Sequence, residues 1–408
     1  MDKKSNMISA DEALSFLLAR AQPTNKTERI ATTDALGRVL AERQTSAINV
    51  PPLDNSAMDG YAVRFADLVS NGATRLRVTQ RIPAGTVGQP LGVGCAARIF
   101  TGAPVPAGCD AVVMQENCSA EGDMVTINRA PRMGENIRRA GEDITVEAEV
   151  LPAGIRLRPQ EMGLAASVGI AALPVYRKLK VATFFTGNEI VMPGEPLKPG
   201  HIYNSNRFVL VGLLQALDCD IVDLGIVPDS FAATVKVLEE AVTRADLIIT
   251  SGGVSVGEED HVKTAVESVG VLDLWKIAIK PGKPLAFGTV GNTPFIGLPG
   301  NPVSAFVTFC LFVRPFILRS QGVTSTAPQV FSLKADFDWP KPDKRREFLR
   351  ARLHMADDGM VSAQLYPNQG SGVLTSTTWA DGLVEVAEST PIRRGETVKF
   401  LPFSGMLN

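Results

Sequence analysis

Apolar residues in the middle of the chain follow two alternating periods, that of short β-strands and that of amphipathic helices. From residue 176 to residue 320, apolar runs with the β period alternate with stripes at helical spacing. This alternation is typical of a doubly wound, mostly parallel sheet, which binds ligands outside the carboxyl ends of its strands. The predicted strands are 179–185, 220–224, 247–250, 285–287 and 295–296, and the predicted helices are 206–216, 231–241, 260–269 and 302–318.

The regions on either side have mainly the β period. Ser9 and Glu12 have the spacing of a capping box before a helical stripe, and a second short helix is predicted over 32–43. Short alternating runs between 75 and 128 predict a compact all-β domain. Five further runs after Gly322 predict a small barrel or sandwich.

These patterns predict a multidomain protein of the α/β plus β class. A helix within 151–170 is expected to pack back on the N-terminal helices, which makes the first domain discontinuous. The predicted domains are an N-terminal linker domain with helical and β parts (1–50 and 140–176), an all-β domain (51–139), a doubly wound α/β domain (177–326) and a barrel-like C-terminal β domain (327–408).

Composition excludes several classes of function. The net charge of −2 gives no global basic field for nucleic acid, and no apolar run approaches the roughly 20 residues of a membrane span. The five cysteines include no C-x-x-C pair, and the first residues lack the apolar core of a secretory signal. A cytoplasmic protein is therefore expected. Neither a P-loop nor a dinucleotide-binding G-x-G-x-x-G follows a predicted strand.

Five acidic residues stand in predicted loops or at strand ends, several of them beside Gly or Pro. A single loop carboxylate is usually a turn or cap residue, but five at such positions favour a common site. Carboxylate oxygens suit Mg²⁺, which often also binds substrate phosphates. The five are Asp59, Asp143, Glu189, Asp229 and Asp260.

Three lysines follow the Gly-rich turn after the strand at 247–250. Pro281 and Pro284 stiffen the segment that carries Lys276, Lys280 and Lys283. Backbone N–H groups in the neighbouring Gly turns can cradle an anion, so phosphate or oxyanion binding is favoured over an ordinary solvated face. The residues alone thus indicate an α/β enzyme for an anionic substrate with Mg²⁺. A binding or scaffolding module of the same fold is the rival class.

Six motifs, in order along nearly the whole chain, resemble the molybdopterin molybdenumtransferase family, whose relatives include a domain of gephyrin. They are PPLDNSAMDGYAV, RIFTGAPVPAGCDAVVMQE, IRRAGEDI, SGGVSVGEEDHVK, IKPGKPLAFG and GLPGNPVSA. The resemblance implies an elongated four-domain subunit that forms a homodimer, with each active site in a cleft shared between subunits. It also implies that adenylylated molybdopterin is hydrolysed and molybdate inserted, with Mg²⁺ assisting, to give molybdenum cofactor and AMP.

The resemblance also assigns site residues. It implies catalytic roles for Asp59, Asp143, Glu189, Asp260, Lys276 and Lys280, and metal binding by Asp59, Asp143, Glu189, Asp229 and Asp260. The implied substrate-binding residues are Thr101, Asp229, Ser251, Gly252, Gly253, Lys283, Pro299, Pro302, Ser304, Arg350 and Ser371. The chain departs from the family at Asn188, where an acid is common.

The implied partners are an adenylyltransferase that supplies the substrate and a molybdate donor. Two alternatives stay open at this point. One is a molybdopterin adenylyltransferase, which shares the α/β domain type. The other is a non-catalytic scaffold of the gephyrin kind.

Overall fold

A six-stranded mixed sheet forms the centre of the α/β domain. The computed structural model describes residues 7–70, 72–253, 261–355 and 359–407. Three of the five strand pairings in the sheet are parallel and two are antiparallel, which confirms the mostly parallel, doubly wound prediction. In spatial order the strands are Asp220–Val227, Lys180–Thr186, Leu247–Ser251, Thr293–Leu298, Pro284–Val290 and Gly270–Lys276.

Helices cover both faces of this sheet, so its central strands are apolar on both sides. Along strand Lys180–Thr186, Val181 and Phe185 pack into one apolar cluster, and Ala182 and Phe184 pack into the other. Successive side chains of a strand point to opposite faces, which explains the continuous apolar run in the sequence. The helices are Ser205–Ala216, Phe231–Arg244, His261–Val269 and Pro302–Ser320.

Helix Pro302–Ser320 contains a π-helical turn, Phe309–Val313. It is, among the described residues, the one helix long and apolar enough to cross a membrane, and 89% of it is buried inside the protein. Its apolar side chains are accounted for by the core, where Phe316 packs edge-on against Phe287.

Strand Gly270–Lys276 was not predicted. It lies at the sheet edge, antiparallel to Pro284–Val290, and Val271 is 64% exposed. An edge strand of this kind has no helix covering its whole surface, so its apolar pattern is weak. The preceding helix was predicted to begin at Asp260, which lies outside the described residues.

The N-terminal region pairs with residues that follow the all-β domain. Helix Ala10–Arg20 has the predicted capping box, in which Ser9 Oγ accepts from the Glu12 N–H. The helix predicted over 32–43 is wrong: Thr32–Asp34 is one 3₁₀ turn, and the chain then turns at Gly37 with φ 78°. Strand pairs are Thr27–Ala31 with Ala172–Tyr176 and Gln44–Thr45 with Glu149–Leu151, and helix Pro159–Ser167 follows.

The all-β region is one curled six-stranded sheet. Its two short neighbours, Asn55–Ser56 and Ile137–Arg138, pair with each other. Short 3₁₀ turns follow two of the strands, at Phe65–Asp67 and Gln115–Asn117. In spatial order the strands are Ala111–Met114, Gly60–Val63, Cys95–Ile99, Thr74–Ile82, Met124–Ile127 and Cys118–Glu121.

The five strands predicted after Gly322 form a closed barrel, because the fifth pairing joins Arg346–Met355 to Gly382–Val386. Helix Thr375–Trp379 packs beside strand Arg346–Met355, and the 3₁₀ turn Phe403–Gly405 follows the last strand. A two-residue strand of the α/β domain, Ile279–Lys280, adds to the barrel in parallel with Arg346 and Glu347. The barrel strands are Phe331–Ala335, Arg346–Met355, Val361–Leu365, Gly382–Val386 and Thr397–Pro402.

Candidate functional site

Two turns at the carboxyl ends of the parallel strands are tied together by side chains. Ser251 Oγ donates to the Pro299 carbonyl at 2.9 Å. Asn206, in the first turn of helix Ser205–Ala216, donates to Ser251 Oγ at 2.9 Å and to the Gly300 carbonyl at 2.7 Å. The structure therefore brings the predicted Ser251 and Pro299 together, and Asn206 joins them.

Gly252 and Gly253 continue the first of these turns with left-handed backbone, at φ 95° and 65°. A Cβ atom on Gly253 would lie 2.6 Å from Val262 Cγ2 and 3.1 Å from Thr186 Cγ2. Both the backbone conformation and the close packing require glycine here. The turn consequently keeps its backbone close to the end of strand Lys180–Thr186.

Carboxylates line the rim beside that turn. Thr186 is buried, and its Oγ1 donates to Asp229 Oδ1 at 3.1 Å. The Glu189 side chain is exposed and folds back over Gly187, where an added Cβ would meet its Oε2 at 2.7 Å. Asp229 follows strand Asp220–Val227 and Glu189 follows strand Lys180–Thr186, and both side chains lie near the carboxyl end of the second strand.

The lysine turn, residues 276–284, forms the next part of the rim. Ile277 N–H donates to the Lys283 carbonyl at 2.8 Å, which places Lys276 and Lys283 on facing sides of the turn. At Gly282, with φ 104°, an added Cβ would lie 2.3 Å from Thr308 Oγ1 and 3.5 Å from the Ser304 carbonyl. Because of this contact, the turn packs directly on the helix that contains Ser304.

Backbone hydrogen bonds from the N-terminal segment and from the barrel hold the lysine turn on two sides. Ile8 N–H donates to the Lys276 carbonyl at 3.0 Å, and Ala278 N–H donates to the Ile8 carbonyl at 2.8 Å. From the barrel, Arg346 N–H donates to the Ala278 carbonyl at 2.9 Å. Backbone pairing on two sides therefore fixes the course of this segment.

The barrel also reaches the start of helix Pro302–Ser320, since Val303 N–H donates to the Ser371 carbonyl at 3.0 Å. Arg350 is fully buried, and its guanidinium donates to Ser376 Oγ and to the carbonyls of Phe348 and Gly370. Burial lowers the pKa of Arg350 to about 10. Arg350 thus supports the loop that carries Ser371.

Asp59 and Thr101 form a pair in the all-β region. The Thr101 N–H and hydroxyl both donate to Asp59 Oδ1 at 2.8 Å. These bonds, the backbone one first, lower the pKa of Asp59, and the nearby charge of Arg98 adds to the effect. Asp59 is therefore ionised across the neutral range.

Asp143 is exposed in the loop that follows the all-β region, and its backbone N–H donates to the Val50 carbonyl just before that region begins, at 3.0 Å. The hydrogen bonds seen for Asp59, Thr101 and Asp143 join them to their own part of the chain. We call these three residues the acidic wall, to distinguish them from the rim that the α/β domain and the barrel form.

Within the described residues, no three His, Cys, Asp or Glu side chains lie close enough together to hold a metal ion. Asp260 lies outside those residues. Mg²⁺ is commonly held by one or two carboxylates together with substrate phosphates and water. Asp229 and Glu189 fit that arrangement and do not form a complete protein site.

Sequence reasoning missed two groups at the rim. Asn206 follows the helix cap Asn204, and its place in the first helical turn next to a strand end was the available signal. Glu347 and Asp343 lie 3.0 Å and 3.5 Å from Lys280 Nζ. No local pattern marks them, because their contact with the lysine turn joins two domains.

A cavity of about 590 Å³ opens at the opposite, amino ends of the strands, lined by Leu179, Leu247 and Phe287 among others. Its acid Asp246 is already paired with Arg177 through two contacts of 2.9 Å. The predicted site residues do not line this cavity. This cavity is therefore not the candidate site.

Comparison with family models gives three matches along the chain. A model described as the MoeA N-terminal region (domain I and II) matches residues 8–169. A probable molybdopterin binding domain matches residues 182–319, and the MoeA C-terminal region (domain IV) matches residues 332–403.

Relatives match over the whole chain. A molybdopterin molybdenumtransferase of Haemophilus influenzae is 42% identical over 98% of this chain and 100% of its own. One from a Nostoc species is 37% identical over 84% of this chain and 80% of its own. Two crystal structures of MoeA proteins from Pyrococcus horikoshii are 32% and 29% identical, with TM-scores of 0.78 and 0.83. They cover 98% and 97% of this chain and 99% and 100% of their own.

Proposed function

Because this chain belongs to the molybdopterin molybdenumtransferase family, we propose that it inserts molybdate into adenylylated molybdopterin and releases AMP. The chain is a transferase of molybdenum cofactor biosynthesis. The rim supports this proposal on the substrate and products. There the lysine turn packs against the helix that contains Ser304, and the turn of Ser251 is hydrogen-bonded to the turn of Pro299. Cations, hydroxyls and carboxylates there match a substrate with phosphates and an oxyanion.

The chemistry follows from positioning and electrostatics. Water attacks the phosphoanhydride of the adenylylated substrate, AMP leaves with one phosphate, and the other phosphate stays on molybdopterin. Lys276, Lys280 and Lys283 neutralise the charge that develops on the phosphate oxygens. No strong protein nucleophile is needed for such a transfer. On the same rim, beside Ser304 and Ser371, the two dithiol sulfurs then bind the molybdenum of molybdate, and one molybdate oxygen leaves as water with the two thiol protons.

Mg²⁺ is part of the proposal, held by rim carboxylates together with substrate phosphate. Asp229 is oriented by Thr186, and Glu189 is exposed, so both are available for that role. When bound, the ion supplies charge neutralisation at the phosphoanhydride. The chain's own residues bind and orient the substrate around it.

We also propose a homodimer, in which the acidic wall of one subunit completes the rim of the other. Asp59, Thr101 and Asp143 have their hydrogen bonds within their own region, and the predicted function needs acids from both walls. An adenylyltransferase and a molybdate donor are the proposed partners. The described cysteines are all free, which suits the proposed cytoplasmic location.

The test is a reconstitution. Purified protein is mixed with adenylylated molybdopterin, Mg²⁺ and molybdate, and AMP and molybdenum cofactor are measured. Both products are expected, and AMP release is expected to fall when Mg²⁺ is chelated. Wild-type protein without activity above background would refute the proposal.

Two further measurements distinguish this function from an adenylyltransferase and from a non-catalytic scaffold. An adenylyltransferase would consume ATP with free molybdopterin, and the expected result here is no consumption. A scaffold would keep its partner binding and lack turnover.

Lys276→Met is expected to reduce AMP release at least about tenfold with the fold retained, because a cation that neutralises the transferring group is lost.

A further inference from the structure

A buried carboxylate of the C-terminal barrel lies beneath one lysine of the lysine turn. The Glu347 side chain has no exposed surface, whereas the Lys280 side chain is 43% exposed. Lys280 Nζ lies 3.0 Å from Glu347 Oε1. The ammonium group therefore has one side against a buried acid and another side toward solvent.

Glu347 is held in place by neutral donors on its other oxygen. Trp339 Nε1 and the Asp343 N–H each donate to Glu347 Oε2 at 2.8 Å. Among the described residues, Lys280 is the cation that pairs with Oε1. A buried carboxylate without a cation is costly, so this pairing constrains the position of Lys280 strongly.

Asp343 is a weaker partner for Lys280. It lies 3.5 Å from Lys280 Nζ, and Arg345 already binds both of its carboxylate oxygens at 3.0 Å and 2.9 Å. Those bonds hold the pKa of Asp343 far below its usual range. Glu347 is therefore the closer of the two acids to the Lys280 ammonium, and no hydrogen bond from Arg345 to it is seen in the described part of the chain.

The backbone supports the same contact. Ile279 and Lys280 pair in parallel with Arg346 and Glu347, and Arg345 Nη1 donates to the Ile279 carbonyl at 3.3 Å. The register places Lys280 directly beside Glu347. The barrel thus determines both the path of the lysine turn and the direction of this side chain.

We propose that Glu347 is a positioning residue that fixes the Lys280 ammonium at the rim. An ammonium has three N–H donors, so the pairing leaves donors for an oxygen of the phosphate or oxyanion. A cation fixed in advance does not reorganise as charge develops, so its effect falls mainly on turnover. This inference rests on the proposed function, since it assigns a role within the same site.

The first test compares Glu347→Gln with Trp339→Phe. The glutamine keeps the size of the side chain and an acceptor oxygen but removes the charge that holds Lys280. The phenylalanine removes one bond to Oε2 and keeps the Lys280 contact, so it controls for local destabilisation. For AMP release by the full-length protein, kcat is expected to fall about tenfold in Glu347→Gln.

KM is expected to change far less, because the loss of a negative charge beside the site does not weaken attraction of an anion. Trp339→Phe should keep a kcat near that of the wild type. Equal kcat losses in the two variants would overturn the positioning role, and so would an unchanged kcat in Glu347→Gln.

A double-mutant cycle tests whether Glu347 acts through Lys280. Lys280→Met alone and Lys280→Met with Glu347→Gln are expected to have the same kcat, because Glu347 has nothing left to position. Independent, multiplying losses would overturn the proposal.

A third measurement does not require turnover. Lysine acylation by an N-hydroxysuccinimide ester is followed by mass spectrometry, with exposed Lys198 as the internal reference. Lys280 is expected to react several-fold faster in Glu347→Gln and at the wild-type rate in Trp339→Phe, because only the first variant releases the ammonium. Unchanged Lys280 reactivity overturns the positioning proposal, whereas absent AMP release with altered reactivity counts against the proposed function alone.

Discussion

At the scale of single residues, the Asp59–Thr101 pair shows how a local contact sets a charge. Thr101 supplies both a backbone and a hydroxyl donor to one carboxylate oxygen. Each bond stabilises the ionised form of Asp59 and so lowers its pKa. The two residues stand 42 positions apart, so only the fold gives the acid this environment.

Replacing Thr101 by Val tests this dependence. The variant loses the hydroxyl donor and keeps the backbone donor, so the pKa of Asp59 rises toward its ordinary value. The acid limb of the pH–rate profile for AMP release is therefore expected to move to higher pH. Thr126→Val, the same change in strand Met124–Ile127, should leave the limb in place. An unmoved limb in Thr101→Val would remove Asp59 ionisation from the rate-limiting chemistry.

The surroundings of Arg350 lead to a prediction about the free energy of unfolding. Its buried guanidinium supports the loop of Ser371 through Gly370 and also bonds Ser376. Arg350→Met should lower the free energy of unfolding by about 3 kcal/mol, because buried acceptors lose their donors. Ser376→Ala should cost less, about 2 kcal/mol, since it removes only the two bonds of one hydroxyl, which accepts from Arg350 Nε and donates to the Val373 carbonyl. Urea denaturation followed by tryptophan fluorescence measures both, and equal losses would contradict the assignment.

At the scale of elements, the turn after strand Leu247–Ser251 depends on glycine backbone. Gly253→Ala adds a methyl group 2.6 Å from Val262 Cγ2 at φ 65°. The variant should be destabilised by about 2 kcal/mol and should lose most of its activity, because the rim turn must move.

Gly212→Ala is the matched control. Gly212 lies in helix Ser205–Ala216, and an added Cβ there has nothing within 4 Å. That variant should be more stable than the wild type by about 0.5–1 kcal/mol, since alanine favours a helix. Thermal melting compares the two, and a neutral Gly253→Ala would show that the turn tolerates a side chain.

The elements themselves were largely predictable. The parallel strands are buried on both faces, so their apolar runs were clear, and Ser9 with Glu12 marked a helix start that the structure confirms. The helix predicted over 32–43 failed because Gly37 and pairing with distant strands override a short helical stripe. Edge strand Gly270–Lys276 was missed because one side of it faces solvent.

The site was predictable only in part. Residues in Gly- and Pro-rich turns, such as Ser251 and Pro299, were found because those turns follow strands. Asn206 and Glu347 were not found, because contacts between elements distant in sequence bring them to the rim. The assignment of each site residue to a catalytic, substrate or metal role stays a prediction.

At the scale of the whole molecule, the proposed shared site leads to a prediction for a mixture of two variants. Asp59→Asn and Lys276→Met should each have little activity alone, because each variant lacks one charged group in every shared site. After the two variants are mixed and subunits exchange, half of the dimers are mixed, and each mixed dimer has one intact site. About a quarter of wild-type AMP release should therefore return. If subunit exchange is proven and AMP release does not recover, the acidic wall and the rim of each site belong to the same chain.

The lysine turn lies between residue 8 and the barrel, and Arg346 also binds Asp11 through two contacts of 3.0 Å. The turn leaves the ribosome well before Arg346 and Glu347 are synthesised. A nascent chain stalled after the α/β domain therefore lacks the carboxylate and the backbone partner that shape this turn. Translation must reach the last domain before the lysine turn has all its partners, so we expect a chain stalled after the α/β domain to turn over substrate more slowly than the full-length protein.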